Sequence, residues 1–169
     1  MNIRDVIIIG AGPSGLFVAL HLPAHLSVLM LEKTEKAAQK LLMSAKGRGN
    51  LTNVSINPFQ DYVSDDPSFV QQAFTHYSSA DFLHFLEANK IEYLQEENGK
   101  ILLKSEKVSQ FHDFLLQQLE KKKVEINYGP ELLTLQKQED GLFQLQTSQG
   151  PFLSSKVILA TGTKSVPNL

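Results

Sequence analysis

Apolar and polar positions along this chain switch between strand-like and helix-like spacing, and the switch points mark its elements. Val6-Ile7-Ile8-Ile9 is an uninterrupted β-branched run, the pattern of a strand buried on both faces, as in a parallel sheet. It runs straight into Gly10-Ala11-Gly12-Pro13-Ser14-Gly15. Leu16-Phe17-Val18-Ala19-Leu20 follows as a predicted helix, with Pro13 in its first turn, where a missing N–H costs nothing. Pro23 predicts an early end to that helix. Ser27 to Leu31 predicts a second buried strand, closed by Glu32 and Lys33. Strand, helix and strand make a βαβ unit of about 30 residues.

Thr34 to Asp66 is polar and reads as irregular, apart from a short helix around Ala37 to Met43. Loops of that length in compact domains are usually functional or disordered. Pro67 to Tyr77 and Ser79 to Asn89 predict two helices, the second with an apolar stripe of Phe82, Leu83, Phe85 and Leu86 and with Ser78 and Asp81 as a capping pair. Ile91 to Gln95 and Ile101 to Leu103 flank Asn98-Gly99, the strongest short hairpin signal. A helix follows from about Glu106 to Lys122, capped by Ser105, with Val108, Phe111, Leu115 and Leu119 facing the core. Val124 to Tyr128 predicts a third parallel strand. Leu132 to Gln136, Leu142 to Thr147 and Phe152 to Ser155, separated by Asp140-Gly141 and Gln149-Gly150, predict an antiparallel meander. Val157 to Ala160 is a last apolar strand, emptying into Thr161-Gly162-Thr163-Lys164-Ser165.

Composition narrows the function classes. The 169 residues suit one domain with a real core, and the 42% apolar share is that of a globular chain. There is no Cys, which excludes disulfides, thiolate metal sites and a Cys nucleophile and predicts a reducing, cytoplasmic setting. A formal charge of −2 offers no basic field, so no nucleic-acid partner is expected. The apolar runs fall far short of the roughly 18 residues of a membrane span, and Arg4-Asp5 ahead of a strand is not the layout of a signal peptide. The five His are scattered with no ligand spacing, so no metal is expected. Lys121-Lys122-Lys123 at a helix end and Gln95-Glu96-Glu97 at a hairpin end read as solvated surface. No Ser-His-Asp set or carboxylate pair emerges, and no catalytic residue is assigned.

The strongest chemical signal is Gly10-x-Gly12-x-x-Gly15 between a strand and a helix, with Glu32 ending the next strand. That context is what a dinucleotide-binding fingerprint requires. Gly10 permits the tight turn, Gly12 lets the backbone approach a pyrophosphate, and Gly15 lets helix and strand pack closely. The helix N-terminus offers unpaired N–H groups to phosphates, and Ser14 can add a hydrogen bond. Glu32 would accept from ribose hydroxyls and repel a 2′-phosphate, so the ligand expected is adenosine-diphosphate-like and lacks that phosphate.

The long excursion before the third strand and the meander before the last one resemble the plan of glutathione-reductase-like FAD domains, which favours FAD over NAD. The resemblance narrows at Leu41-Leu42-Met43-Ser44-Ala45-Lys46-Gly47-Arg48-Gly49-Asn50-Leu51-Thr52-Asn53. With Asp5 to Gly15, Leu31-Glu32-Lys33 and Leu159 to Pro167, this segment resembles the bacterial NAD(P)/FAD-dependent oxidoreductases of the aminoacetone-oxidase-like type, which include reductases of unsaturated bile-acid ketones. The likeness covers nearly the whole chain and only the first part of the family's protein, which adds a substrate-side domain and then returns to complete the FAD domain.

The resemblance implies that Glu32, with Lys33 beside it, holds the adenosine ribose. Lys40 and the loop of Ser44, Gly47, Arg48 and Asn50 would run under the pyrophosphate and flavin. Leu132 would contact the adenine through its backbone, and Thr161 and Gly162 would pass close to the cofactor. Lys46 and Arg48 fit either a reduced, anionic flavin or a plain phosphate or surface role. The chain departs from the family pattern at several places. Ala45 and Lys46 stand for two glycines and Gly49 for a cysteine; Ala38-Gln39-Lys40 stands for Gly-Arg-Lys and Leu102-Leu103 for Phe-Pro. Thr163 stands for a glycine and Val166 for a tyrosine.

The fold expected is thus an α/β FAD-binding Rossmann domain over residues 1–169, incomplete at its C-terminal side, with an inserted helix-hairpin-helix over about 67–122 and a meander over about 131–155. The function implied is a flavoprotein oxidoreductase, with FAD as cofactor and NAD(P)H or an organic substrate as donor. The alternative is a truncated, non-catalytic fragment or one half of a split flavoprotein, seeking a partner chain or self-associating through an incomplete sheet edge.

Overall fold

The computed structural model describes residues 2–162. In chain order the elements are β1 (Ile3–Ile9), α1 (Pro13–His21), β2 (Val28–Glu32), α2 (Gln39–Met43), a 3-10 turn (Ser44–Gly47), β3 (Asn50–Asn53), α3 (Pro67–His76) and α4 (Ser79–Ala88). Then come β4 (Tyr93–Gln95), β5 (Lys100–Leu103), α5 (Val108–Lys121), β6 (Glu125–Tyr128), β7 (Leu132–Lys137), β8 (Phe143–Thr147) and β9 (Gly150–Leu159). Two compact units result: one holds the chain up to Leu41 and again from His112, the other Leu42–Phe111.

The first unit is an α/β layer around a six-stranded sheet of order β6-β2-β1-β9-β8-β7. β6, β2, β1 and β9 run parallel, and β8 and β7 extend the sheet antiparallel. Val6, Ile7, Ile8 and Ile9 are all buried, as a strand covered on both faces must be. Ile7, Ile9, Leu29, Leu31 and Leu145 form one core cluster, flanked by Leu132, Phe143 and Phe152 from the antiparallel strands. Leu16 and Ala19 of α1 and Leu115 and Leu119 of α5 are buried as their helical spacing predicts.

Two sequence expectations are corrected in this unit. The last meander strand and the last parallel strand are one ten-residue strand, β9. Its first half pairs antiparallel with β8, from Gly150 opposite Thr147 to Ser154 opposite Phe143. Its second half pairs parallel with β1, up to Leu159 opposite Ile9. The polar Ser154-Ser155-Lys156 step reads as a break but is not one, because the buried Ser154 hydroxyl lies 2.6 Å from the Lys156 carbonyl and 3.2 Å from that of Arg4. Lys122 likewise is not a solvated helix end. Its ammonium donates to the carbonyls of Leu20, at 2.6 Å, and Leu22, which the end of α1 leaves without helical partners.

The second unit is built on a three-stranded antiparallel sheet, β3-β5-β4, with Leu86, Ile101, Leu102, Leu103, Val108 and Phe111 buried. β3 lies in the stretch read as irregular; Asn50-Leu51-Thr52-Asn53 carries one apolar residue and shows no periodicity, so pairing with β5 makes it a strand. At the predicted hairpin turn Gly99 has φ +81°, and a Cβ there would lie 2.1 Å from Ser55 Oγ. Asp66 caps α3 through the N–H groups of Ser68 and Phe69 ahead of Pro67. Ser78 and Asp81 form the reciprocal capping box of α4. No helix of the described residues is long and apolar enough to cross a membrane.

The Ser78 hydroxyl, and after it the Ser78 N–H, holds the Asp81 carboxyl below the ordinary carboxylate range. A carboxylate with a depressed folded-state pKa contributes its stabilisation at neutral pH and loses it as pH falls through that value, below about pH 4. Ser78→Ala is expected to cost about 1 kcal/mol at pH 7 and less at pH 3, as read from urea unfolding midpoints at the two pH values.

Candidate cofactor-binding site

The site forms where the carboxyl ends of β1, β2 and β9 open in the first unit, the usual ligand position of an open parallel sheet. The three glycines of the fingerprint are there for different reasons. Gly10 has φ +100°, and a Cβ on it would lie 2.5 Å from the Ala160 carbonyl oxygen. A Cβ on Gly15 would lie 2.1 Å from the Gly10 carbonyl oxygen. Both are required by the protein's own packing. Gly12 has an ordinary φ of −71°, and a Cβ on it would meet nothing within 4 Å. It lines a cavity of about 450 Å³.

Gly12 caps α1 without a side-chain hydrogen bond, so the first N–H groups of the helix, beyond Pro13, have no acceptor within it. Glu32 closes the cavity on the β2 side, and its carboxylate is held before any ligand arrives. Oε2 accepts from the Ala11 N–H at 2.9 Å. Oε1 accepts from the Thr34 N–H at 2.9 Å and lies 2.8 Å from Thr34 Oγ1. The Gly129 N–H donates to the Glu32 backbone carbonyl at 2.7 Å, tying the start of the meander to β2. Burial, and then the Glu32 charge, push the nearby Tyr128 hydroxyl above its usual pKa.

Of the residues singled out in the sequence, Gly10, Gly12, Pro13, Ser14, Glu32 and Lys33 line this cavity. So do Lys40, Leu132, Thr161 and Gly162. Lys40 Nζ would stand 3.9 Å from a Cβ built on Gly162, so the cation of α2 sits beside the loop that follows β9. Gly15 lies beneath, as packing. Ser44, Gly47, Arg48 and Asn50 belong to the second unit and do not line this cavity. There Gly47 and Gly49 take φ of +88° and +78°, and Lys46 takes +56°. Thr163, Lys164, Ser165, Val166 and Pro167 lie outside the described residues, as does the side chain of Ala45.

Sequence reasoning did not single out Thr34 and Glu131, and named Ala38 only as a departure from the family pattern; all three also line the cavity. A hydroxyl two residues after a strand-terminal acid was the available signal for Thr34. Ala38, buried with φ +52°, donates its N–H to the Ala11 carbonyl at 2.8 Å and so ties the segment after β2 to the glycine turn within the first unit.

A family model described as the HI0933-like protein Rossmann domain matches residues 4–169. The chain belongs to this family. Among its curated relatives is the ribosomal RNA dihydrouridine synthase of Escherichia coli K12, 32% identical over 98% of this chain and 41% of the relative. Another is the 3-dehydro-bile acid delta(4,6)-reductase of Clostridium scindens, 27% identical over 96% of this chain and 40% of the relative. The chain thus spans about two fifths of the length of these relatives. Among solved structures, the L-alpha-glycerophosphate oxidase of Mycoplasma pneumoniae with FAD bound shares the fold. Its TM-score is 0.58 at 19% identity, covering 96% of this chain and 55% of that one. The fold is thus a Rossmann fold shared with an FAD-bound oxidase, as the fingerprint and meander predict.

The two reasons for glycine separate by experiment. Gly15→Ala is expected to destabilise by about 1–3 kcal/mol through overpacking, whereas Gly12→Ala, which meets no protein atom, is expected to cost only the loss of a good N-cap residue, about 0.5–1 kcal/mol. Thermal unfolding of both ligand-free variants checks this.

Proposed function

We propose that this chain forms the adenosine-diphosphate-binding part of an FAD-dependent oxidoreductase. The observation that carries the reading is Gly12. It is a bare position that no protein atom requires, opening on a cavity beside a carboxylate already held in place. The residues present fit the group: α1 offers N–H donors to a pyrophosphate, Glu32 offers a carboxylate to ribose hydroxyls, and Lys40 brings a positive charge to the same cavity. Thr161 and Gly162 offer a loop with little bulk, as a flat ring system needs for close backbone approach. Lys33 and the Leu132 backbone would flank the adenosine end. When bound, FAD would supply hydride and electron transfer, and the chain's own part is to bind and orient it.

The relatives' names support a reaction class. A dihydrouridine synthase and a delta(4,6)-reductase both saturate carbon–carbon double bonds, and we take reduction of such a bond, with NAD(P)H as electron source, as the activity of the whole protein. The chain described here contributes cofactor binding and not substrate contact. Its formal charge of −2 supports leaving any nucleic-acid contact to other parts of the protein, and the absence of Cys supports a cytoplasmic setting.

A second reading, a part that is not catalytic alone and needs a partner, is favoured by the two-fifths span and by the edge of β9. Among the described residues β8 pairs with β9 only from Gly150 to Ser154, so one edge of Lys156–Leu159 has no paired strand, and Leu159 is 64% exposed. A further strand added there, from another part of the protein or a second chain, would satisfy those backbone groups.

Titration of the purified chain with ADP by calorimetry and with FAD by flavin fluorescence tests the reading. ADP and FAD are expected to bind, with Glu32→Ala weakening both about ten- to a hundredfold and Gly12→Val abolishing binding with no more than the small fall in melting temperature that a poorer N-cap causes. No binding of either ligand at millimolar concentration would overturn it. FAD binding that tightens markedly only when a second chain or the remaining part of the protein is added would favour the second reading.

A further inference from the structure

We propose that Thr34 is a positioning residue that sets how this site discriminates ribose hydroxyls. The inference rests on the reading of the cavity as an adenosine-diphosphate site and deepens it. A carboxylate has about four lone-pair directions, and at Glu32 three are occupied within the chain itself. Oε1 is taken twice by Thr34, through its N–H at 2.9 Å and its hydroxyl at 2.8 Å, and Oε2 once by the Ala11 N–H at 2.9 Å. Among the described residues, the direction left open to a ligand is on Oε2. A carboxylate fixed at both oxygens cannot swing to suit whatever enters, so its remaining acceptor direction selects ligands with a hydroxyl in one place.

The hydroxyl of Thr34 also lies 3.0 Å from the Lys36 carbonyl. It has one proton to give, and the charged carboxylate is the stronger acceptor. The Lys36 carbonyl nonetheless brackets the hydroxyl from the other side, so the Thr34 side chain is confined between the carboxylate and the turn that follows it. Thr34 and Glu32 are both half-buried at the cavity wall. The constraint therefore acts at the point of ligand contact.

The test uses ADP and 2′,3′-dideoxyadenosine diphosphate, titrated calorimetrically into the parent chain, Thr34→Val, Thr34→Ser and Glu32→Ala. The parent is expected to prefer ADP by at least about tenfold. Thr34→Val keeps the shape but not the hydroxyl. It is expected to weaken ADP about five- to tenfold, leave the dideoxy ligand unchanged, and bring the preference close to that of Glu32→Ala. Thr34→Ser is expected to restore the preference to within about twofold, since it returns the donor. A merely structural role would weaken both nucleotides together and lower the melting temperature, and that result would overturn the inference, as would a parent-like ratio in Thr34→Val. Failure of the adenosine-site reading looks different: the parent would bind neither nucleotide.

Discussion

At the carboxyl ends of β1 and β9, Gly10, Gly15 and Ala160 meet main chain to main chain with no room for a Cβ between them. Everything else at the site depends on that contact. It brings the start of α1 down onto the strand it leaves, and it fixes where the next strand ends. The parallel registers carry the constraint across the sheet. Ile9 stands opposite Leu31 on one side and Leu159 on the other, so residues 10, 32 and 160 leave the sheet at the same level. The Gly10 N–H to Leu31 carbonyl and Ala160 N–H to Ile9 carbonyl bonds, each 2.8 Å, close that level on both sides. A helix start, an acid and a small-residue loop therefore face one cavity because three strand ends are in register.

That geometry separates two kinds of glycine that a sequence motif treats alike. Gly10 and Gly15 would be required even if nothing were ever bound, because the alternative is a Cβ inside a neighbouring carbonyl. Gly12 is different, since an alanine there would fit the protein. Glycine is itself a favoured N-cap residue where alanine is not, so the start of α1 accepts it on local grounds as well. What the open position adds is room for a second molecule to lie against the backbone, and this is why Gly12 supports the proposed cofactor reading more directly than the two glycines that packing requires.

Much of this was legible in the sequence, and the reasons differ by element. β1 and β2 could be read because burial on both faces writes a continuous apolar run, and α1 because Pro13 and Pro23 mark its ends. The capping box at Ser78 and Asp81 and the turn at Asn98-Gly99 are local chemistry and could be read as such. β3 could not be read, because Asn50 to Asn53 becomes a strand only through its pairing with β5. β9 was divided in two because Ser154-Ser155-Lys156 breaks the apolar run, and only the carbonyls around the Ser154 hydroxyl make that step acceptable inside a strand. At the site, Glu32 is visible as the acid closing a strand, whereas its fixation by Ala11 and Thr34 depends on where a folded main chain brings two N–H groups.

Ala38 and Lys46 show what the family resemblance does and does not determine. Both stand where the family pattern has glycine, and both take a left-handed φ, +52° and +56°. A residue with a Cβ pays about 1–2 kcal/mol for that conformation, yet neither position has moved to an easier one. At Ala38 the reason is visible: its N–H is bonded to the Ala11 carbonyl, and its side chain is buried at the cavity wall. Leaving the left-handed region would break the tie between the segment after β2 and the glycine turn. The glycines of the pattern at such positions therefore record a backbone conformation, and their loss costs stability before it costs shape. This is why a chain that departs from the pattern at its glycines still presents Gly12, Glu32 and Lys40 to one cavity.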